Sequence, residues 1–279
     1  MANDREEDRF SLRGKNDREE LLKRARTATI LPMLSGMMNE IFRIMADPDS
    51  SFGQLYDVVK YDQAISSKII SIANSPYYNR GTPVTSLERG MVMVGFKEIE
   101  RIIMCLVFMK QIMAPWRLGQ ADLAAIWEHS LTVAHAARTL SAKTGLEESE
   151  KAFAISIVHD IGKIIFYTYD GGYGGLAKEA ALASRDVCDL ERDRYGIDHQ
   201  EIGHHMSIKW SFPREFSEAV MDHHSPPDGR VPVIDVVRDA DAFASGPGRF
   251  LPERERIILQ NEKELIGAET ERIRRLVGM

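Results

Sequence analysis

The chain has 279 residues, a formal net charge of −6 and only two cysteines. Its length allows a sizeable core in one large domain or in two lobes. The acidic balance argues against a broad nucleic-acid-binding face, which needs clustered lysine and arginine, and two cysteines are too few for a secreted disulfide scaffold. The N-terminus is charged where a signal peptide is apolar, and no apolar run is long enough to cross a membrane. We therefore expect a cytoplasmic protein with no nucleic-acid partner and no membrane partner.

Residues 1–26 are crowded with charges of both signs and hold few large apolar groups. This composition is typical of a mobile leader or of a weakly formed, solvated helix. We assign this charged leader no function.

Residues 27–118 carry apolar side chains at intervals of three and four, which is the helical period. Proline, serine, threonine and aspartate occur between these periodic segments, where helices end or are capped. The pattern predicts five short helices in an N-terminal lobe. The first enters through Pro32 and ends before Asp47, the second carries Phe52 to Val59, the third runs from near Asp62 to Ala73, the fourth passes through Met91 and Val94, and the fifth spans about Lys97 to Met113.

The C-terminal lobe, 119–246, begins after a connection at 115–120. Asp122 is a candidate cap for a long helix that ends at Gly145. A further helix from about Ser149 reaches a neighbouring His-Asp pair and breaks near Gly162. Helices are also expected at about 176–195, 199–210, 213–223 and 232–244.

The glycine-rich segment 170–175 lacks the Lys-Ser/Thr ending of a phosphate-binding loop, so we expect a flexible surface loop there. The tail, 247–279, is charged and helical in propensity, and we expect it to be peripheral. Because alternating strand-like runs are nearly absent, the predicted fold class is all-α. Trp127 and Trp210 are expected to be core anchors of the C-terminal lobe.

All eight histidines lie between positions 129 and 224. Neutral imidazole and carboxylate together suit iron, manganese or zinc, so the clustering is what a metal site would need. A lone histidine on a helix is more often a hydrogen-bonded structural group than a ligand, and that alternative stays open for each position. His135, His204 and His205 are expected to be structural or exposed.

Two stretches of the sequence, one in each lobe, contain a series of ordered motifs. The first comprises Leu31-Pro32-Met33-Leu34, Asp47-Pro48, Tyr61-Asp62, Lys68-Ile69-Ile70, Ala73-Asn74-Ser75, Thr82-Pro83-Val84-Thr85-Ser86-Leu87 and Val94-Gly95. The second comprises Trp127-Glu128-His129-Ser130, His159-Asp160-Ile161-Gly162-Lys163, His199-Gln200-Glu201-Ile202-Gly203, Trp210, Pro213 and His223-His224. Together the two stretches resemble the HDOD family of bacterial signalling proteins over roughly residues 25–245.

The resemblance implies an all-helical fold whose C-terminal lobe is similar to the HD phosphohydrolase superfamily, with the N-terminal lobe packed against it. HDOD domains act as regulatory modules. The expected function is therefore signal transduction through a partner protein or a small phosphorylated ligand, with a metal-capable HD site. The alternative is a metal-dependent phosphohydrolase or phosphodiesterase that acts on a nucleotide or cyclic nucleotide.

The HD pattern implies a first set of metal ligands in sequence order: His129, His159, Asp160 and Asp241. Asp239 is the alternative to Asp241 and would face about 200° away around the helix. Ligands added in the HD-GYP type resemble three more residues, so that one or two ions could be held, with Asp160 as the bridge. Asp160 and Lys163 are the catalytic candidates, because Lys163 would point a positive charge at a phosphate. The added ligands are His199, His223 and His224.

One departure from the HD-GYP pattern concerns the segment before Pro232. The Gly-Tyr pair that should precede this proline is replaced by Arg230-Val231, which counts against a cyclic dinucleotide as the substrate.

His223 and His224 are also in doubt as ligands, since adjacent helical residues diverge by about 100° and one of them would then cap the helix or face solvent.

Overall fold

The computed structural model describes residues 16–28, 32–183, 185–226, 231–246 and 250–278. Throughout these ranges the regular elements are helices, and no strand occurs among them. The all-α prediction is therefore confirmed. None of the described helices combines the length and apolar content that crossing a bilayer requires.

The N-terminal lobe is a set of short helices that begin where the sequence offers caps. The Ser51 hydroxyl accepts a hydrogen bond from Gln54 N, and the Gln54 side chain accepts one from Ser51 N. Asp62 accepts from two amides at the start of its helix. The helices are α1 at 16–27, α2 at Pro32–Ala46, α3 at Phe52–Val59, α4 at Gln63–Ala73, α5 at Leu87–Val94 and α6 at Phe96–Val107.

The predicted fifth helix is correct at its start but changes type before its end. It continues from α6 as a π-helix at Phe108–Met113 and a 3₁₀ turn at Ala114–Trp116. Pro115 lacks a backbone N–H and cannot continue an α-helical ladder. The long helix then begins at Gln120, so Asp122 lies in its first turn instead of capping it.

The C-terminal lobe surrounds a long central helix, α7. The helix predicted at about 176–195 is two helices, because the Asp186 carboxylate caps a new helix by accepting from Cys188 N. The helices are α7 at Gln120–Thr144, α8 at Ser149–Val158, α9 at Lys163–Tyr169, α10 at Leu176–Ala183, α11 at Val187–Tyr195, α12 at His199–Lys209, α13 at Arg214–Asp222 and α14 at Pro232–Ser245.

The two lobes share one hydrophobic core. Phe108 of the first lobe stacks on Trp127 of the second with ring centroids 5.9 Å apart, and Phe42 lies 4.1 Å from Phe216. Trp210 Nε1 donates a hydrogen bond to a backbone carbonyl of the first lobe. Both tryptophans are buried, which confirms them as core residues.

The second half of the predicted leader is a packed helix. In α1, Leu21 and Ala25 are fully buried, and Arg18 forms an ion pair with Glu201 of α12. The apolar positions are too few to reveal this packing against a background of mixed charge. Residues 1–15 of the leader lie outside the described residues.

The tail forms two helices, α15 at Glu253–Asn261 and α16 at Lys263–Val277, that pack against α7. Leu259, Ile266 and Ile273 are buried, so the described part of the tail belongs to the core instead of being peripheral. Leu259 is the one buried residue of α15, and Ile266 and Ile273 are the buried apolar residues of α16, two turns apart. So few buried apolar positions on each helix make a weaker signal than a sequence scan for core helices would detect.

A buried ion network joins the tail to the N-terminal lobe. Arg272 of α16 and Arg101 of α6 both bind the Glu98 carboxylate. Burial by itself would raise the pKa of Glu98, but the two guanidinium groups outweigh burial and lower the pKa to about 2. The carboxylate therefore stays ionised while it is buried.

We expect Glu98→Gln to lower the free energy of unfolding at neutral pH by about 2–3 kcal/mol, because Arg101 and Arg272 lose the charged partner that they share and keep only Glu150 and Glu269. The pKa of Glu98 is lower in the folded state, so its stabilisation is complete above about pH 4.5 and is lost as the pH falls toward about 2. Urea titrations of both proteins across this range should therefore converge at low pH. Glu271→Gln, which breaks exposed ion pairs of the same helix, is the control and should change little.

Candidate metal centre

The structure brings all seven predicted metal-site residues to one place in the C-terminal lobe. Each comes from a helix or from the turn that follows one, so five separate segments converge. They are His129 on α7, His159 and Asp160 in the turn after α8, His199 at the first position of α12, His223 and His224 after the end of α13, and Asp241 on α14.

The Asp160 carboxylate lies at the middle of this cluster and is almost fully buried. Its Oδ1 is 3.2 Å from His199 Nε2 and 3.4 Å from His223 Nε2. Its Oδ2 is 3.2 Å from His129 Nε2 and 3.4 Å from His159 Nε2. One carboxylate thus faces four imidazoles, two on each oxygen, as a bridging ligand would.

Asp241 provides the second carboxylate of the cluster. Its Oδ1 is 3.1 Å from His129 Nε2 and 3.7 Å from His159 Nε2, and its Oδ2 is 3.6 Å from His224 Nε2. Asp241 is buried, whereas Asp239 is only half-buried. Of the two candidates, Asp241 is the one whose carboxylate lies against the histidines of the cluster.

The neighbouring histidines after α13 both face the cluster. They were in doubt because consecutive residues of a helix point in different directions, but α13 ends at Asp222 and the pair occupies a turn. His223 therefore approaches Asp160 while His224 approaches Asp241.

Two of the histidines are oriented by backbone carbonyls. His159 Nδ1 lies 2.6 Å from Ser156 O, and His223 Nδ1 lies 3.0 Å from Val220 O. A carbonyl only accepts hydrogen bonds, so Nδ1 of each ring carries the proton. Nε2 of each ring is then turned into the cluster, where a bound metal ion would occupy the position of a second proton.

Two other histidines are oriented by carboxylates. His199 Nδ1 lies 2.7 Å from Glu191 Oε2, and His224 Nδ1 lies 2.8 Å from Asp186 Oδ2. This carboxylate–histidine pairing again directs Nε2 inward and makes the imidazole a stronger ligand. Sequence reasoning missed both carboxylates, since each sits in a charged stretch that resembles a solvated helix face.

The glycine-rich segment, expected to be a flexible surface loop, also supports the cluster. Tyr173 within it is buried, stacks on Phe166 with centroids 5.0 Å apart, and donates a hydrogen bond to Glu191. The glycines on either side of Tyr173 are exposed. A tyrosine within a glycine-rich segment is the sequence feature from which this supporting role of Tyr173 could have been predicted.

The electrostatics of the cluster favour a positive charge at its centre. Burial opposes ionisation of both Asp160 and His159, but their mutual attraction outweighs burial. It raises the pKa of His159 to about 9, and together with Lys163 it holds the pKa of Asp160 well below its usual range. The Lys163 ammonium lies 2.6 Å from Asp160 Oδ2, and its pKa is also raised.

The residues fit a bound metal ion. Among the described residues, the buried atoms His129 Nε2, His159 Nε2 and Asp160 Oδ1 make no hydrogen bond of acceptable geometry. Buried polar atoms are rarely left in this condition unless water, an ion or a ligand satisfies them. Ligand atoms of His129, His159 and Asp241 also lie within 4.8 Å of one another, a separation that one ion can span.

Two glycines allow α12 to approach the His-Asp turn. A β-carbon on Gly162 would lie 1.9 Å from the His199 carbonyl oxygen, and one on Gly203 would lie 2.7 Å from Val220 Cγ1. Neither position has room for a side chain. His199 reaches Asp160 because the two backbones are in contact here.

A cavity of about 320 Å³ opens onto the cluster. Three cationic side chains line it, namely Lys163, Lys178 and Arg185, together with the half-buried Tyr167 and the apolar Ile126. The cavity therefore has the histidine and aspartate cluster at one end, and its walls carry both positive charge and apolar surface. This combination suits a small phosphorylated organic molecule.

The three remaining histidines lie away from the cluster. His135 is buried against Phe153, with ring centroids 5.2 Å apart. His204 and His205 are half-buried on α12. Structural or exposed positions were predicted for all three, and the structure gives His135 a structural position.

Helices α2 to α6 of the N-terminal lobe and the cluster residues from His129 to His224 fall within a match to a single family model. The HDOD domain model covers residues 31–226, more than half of the chain. The chain belongs to the HDOD family. This HDOD match spans both lobes, and it agrees with the shared core that joins them. No curated protein matches the chain.

Solved structures with the same fold include other HDOD proteins. An HDOD domain protein of unknown function from Geobacter sulfurreducens is similar with a TM-score of 0.70 and 18% identity, over 94% of this chain and 99% of that one. A candidate signal transduction protein from Marinobacter aquaeolei is similar with a TM-score of 0.66 and 17% identity, over 95% of this chain and 63% of that one. A candidate phosphohydrolase from Shewanella amazonensis is similar with a TM-score of 0.61 and 19% identity, over 92% of this chain and 93% of that one. At these identities the likeness shows the fold.

We expect Gly162→Ala to destabilise the protein by about 3 kcal/mol or more, because the new methyl group overlaps a backbone oxygen that no rotamer change can move. Chemical denaturation measures this loss. Gly171→Ala is the matched control, since a β-carbon there meets nothing within 4 Å. Equal stability of the two variants would contradict the close approach of α12.

Proposed function

We propose that this HDOD chain is a metal-dependent phosphohydrolase. The observation that carries the proposal is the Asp160 carboxylate, buried between four inward-facing Nε2 atoms and opening onto a cationic cavity. Such a site is costly to bury unless a cation completes it. The similar structure of a candidate phosphohydrolase also supports the proposal.

The seven clustered residues would hold one or two ions of iron, manganese or zinc. A bound ion of this kind polarises a phosphoryl oxygen and generates a nucleophile from water at neutral pH. The chain contributes the fixed ring orientations, because Glu191, Asp186 and the two backbone carbonyls keep Nδ1 turned away in four of the five histidines. The cluster also lies at the C-terminal ends of α8 and α13. The partial negative charge at a helix C-terminus favours a cation there.

Lys163 would neutralise charge on the phosphoryl group. Its ammonium is held 2.6 Å from Asp160 and its side chain is 18% exposed, toward the cavity. The raised pKa keeps it protonated at physiological pH. It therefore provides a fixed positive charge between the metal ligands and the substrate.

The substrate would be a phosphoester with an apolar or aromatic body, of which a nucleotide is the leading example. Lys178 and Arg185 would bind further anionic groups, while Tyr167 and Ile126 offer surface to a base or ring. Arg230-Val231 in place of Gly-Tyr still counts against a cyclic dinucleotide.

A regulatory module is the second candidate function, and the packing of α8 supports it. Helices α2 and α6 of the N-terminal lobe pack directly on α8, which leads into the His159-Asp160 turn. A protein partner that displaced the N-terminal lobe would therefore act on the metal ligands through one helix. In this role, metal occupancy would report or stabilise a signalling state without turnover.

We expect protein purified without chelator to contain about one equivalent or more of a transition metal per chain. His159→Ala should lose most of any iron or manganese, because a fully buried ligand of the cluster is removed, while His204→Ala on α12 should retain it. Elemental analysis measures the content. A metal-free wild-type protein that iron, manganese and zinc all fail to load under reducing conditions would overturn the proposal.

We expect Lys163→Met to lower kcat for phosphoester hydrolysis by about 10²-fold to 10³-fold while the metal content stays near that of the wild type. Phosphate release from nucleotides, and the release of p-nitrophenol from its phosphomonoester and phosphodiester, provide the assays. Lys263→Met, an exposed change in the tail, is the control. Metal-loaded wild type with no more activity than His159→Ala on any of these substrates would favour the regulatory module.

A further inference from the structure

A second set of metal-binding atoms lies on the outer side of His199. Cys188 Sγ is 3.7 Å from His199 Nδ1, and ligand atoms of Cys188, His199 and His224 all lie within 4.8 Å of one another. The cysteine is buried and its thiol donates to Gln200 Oε1. These atoms are separate from those that face Asp160, because His199 uses Nδ1 here and Nε2 there.

Carboxylates complete the surroundings of this outer set. Asp186 Oδ2 lies 2.8 Å from His224 Nδ1, and Glu191 Oε2 lies 2.7 Å from His199 Nδ1. A sulfur, two imidazole nitrogens and a carboxylate oxygen are the ligand types of tetrahedral zinc sites. Sulfur also distinguishes this set from the inner cluster, which offers only nitrogen and oxygen.

We propose that Cys188, His199 and His224, with Asp186 as the fourth ligand, form a site for a thiophilic divalent cation such as Zn²⁺, and that its occupancy excludes metal from the inner cluster. The outer site stands on its own geometry. The exclusion rests on the proposed function, since it requires the inner cluster to bind metal.

The exclusion follows from the proton count of the His199 ring. A neutral imidazole has one proton and one available lone pair, and here Nδ1 donates its proton to Glu191 while Nε2 faces Asp160. Coordination through Nδ1 requires the Nδ1 proton of His199 to move to Nε2, and likewise that of His224 beside Asp186, while the Cys188 thiol proton is released to solvent. Protonated Nε2 then donates to Asp160 and is no longer a ligand of the inner cluster.

Titration with Co²⁺ tests the outer site without any activity assay. A thiolate bound to Co²⁺ gives a charge-transfer band in the near ultraviolet, and a tetrahedral site gives strong visible absorption. We expect both in His159→Ala, which impairs only the inner cluster. The double variant His159→Ala/Cys188→Ser should lose the charge-transfer band, and His159→Ala/Cys105→Ser should keep it. A band that persists without Cys188, or that never forms, would overturn the outer site.

The exclusion is tested by comparing the wild type with His159→Ala. If the two sites compete, the Co²⁺ concentration at the midpoint of the thiolate band should be higher in the wild type by about tenfold or more. Equal midpoints with two Co²⁺ bound per wild-type chain would refute exclusion. Equal midpoints with a single Co²⁺ bound would instead refute the inner cluster, and with it the proposed function, while leaving the outer site intact.

Discussion

The burial of one carboxylate, Asp160, is the constraint on which the C-terminal lobe depends. An ionised carboxylate is strongly disfavoured in a protein interior unless cations or hydrogen-bond donors surround it. The lobe meets this demand by directing α7, α8, α12 and α13 toward the same point, so that each delivers an imidazole within 3.4 Å of Asp160. Lys163 adds a permanent positive charge. The fold and the candidate site therefore have the same physical origin.

The N-terminal lobe and the tail stabilise this arrangement from outside. Both pack into the core that also holds the central helices of the C-terminal lobe, and the Glu98 network links them to each other. Within the residues that the structure describes, neither contributes a ligand to the cluster. Their contribution is to immobilise α7 and α8, and rigid supports are what keep buried ligands within coordination distance.

Residues in a recognisable order were predictable from sequence, whereas residues defined by contacts between distant segments were not. His129, His159, Asp160 and Asp241 could be predicted to lie together because their types and order resemble a known family pattern, and that pattern favoured Asp241 over Asp239. Glu191, Asp186 and Cys188 have no such pattern, since their role arises only when α11 lies against α12. The packing of α1 and of the tail was missed for the same reason, because a sparse apolar stripe has meaning only beside its partner helix.

The contact between Gly162 and Gly203 has a consequence for reading other sequences. A side chain at the first position would have to separate the His-Asp turn from α12, and His199 would be withdrawn with the helix. A chain that keeps every histidine and aspartate of the cluster but has a side chain at the first position would therefore be unable to assemble it. The two glycines, which carry no chemistry, are in this sense a marker that distinguishes an assembled centre from a degenerate one.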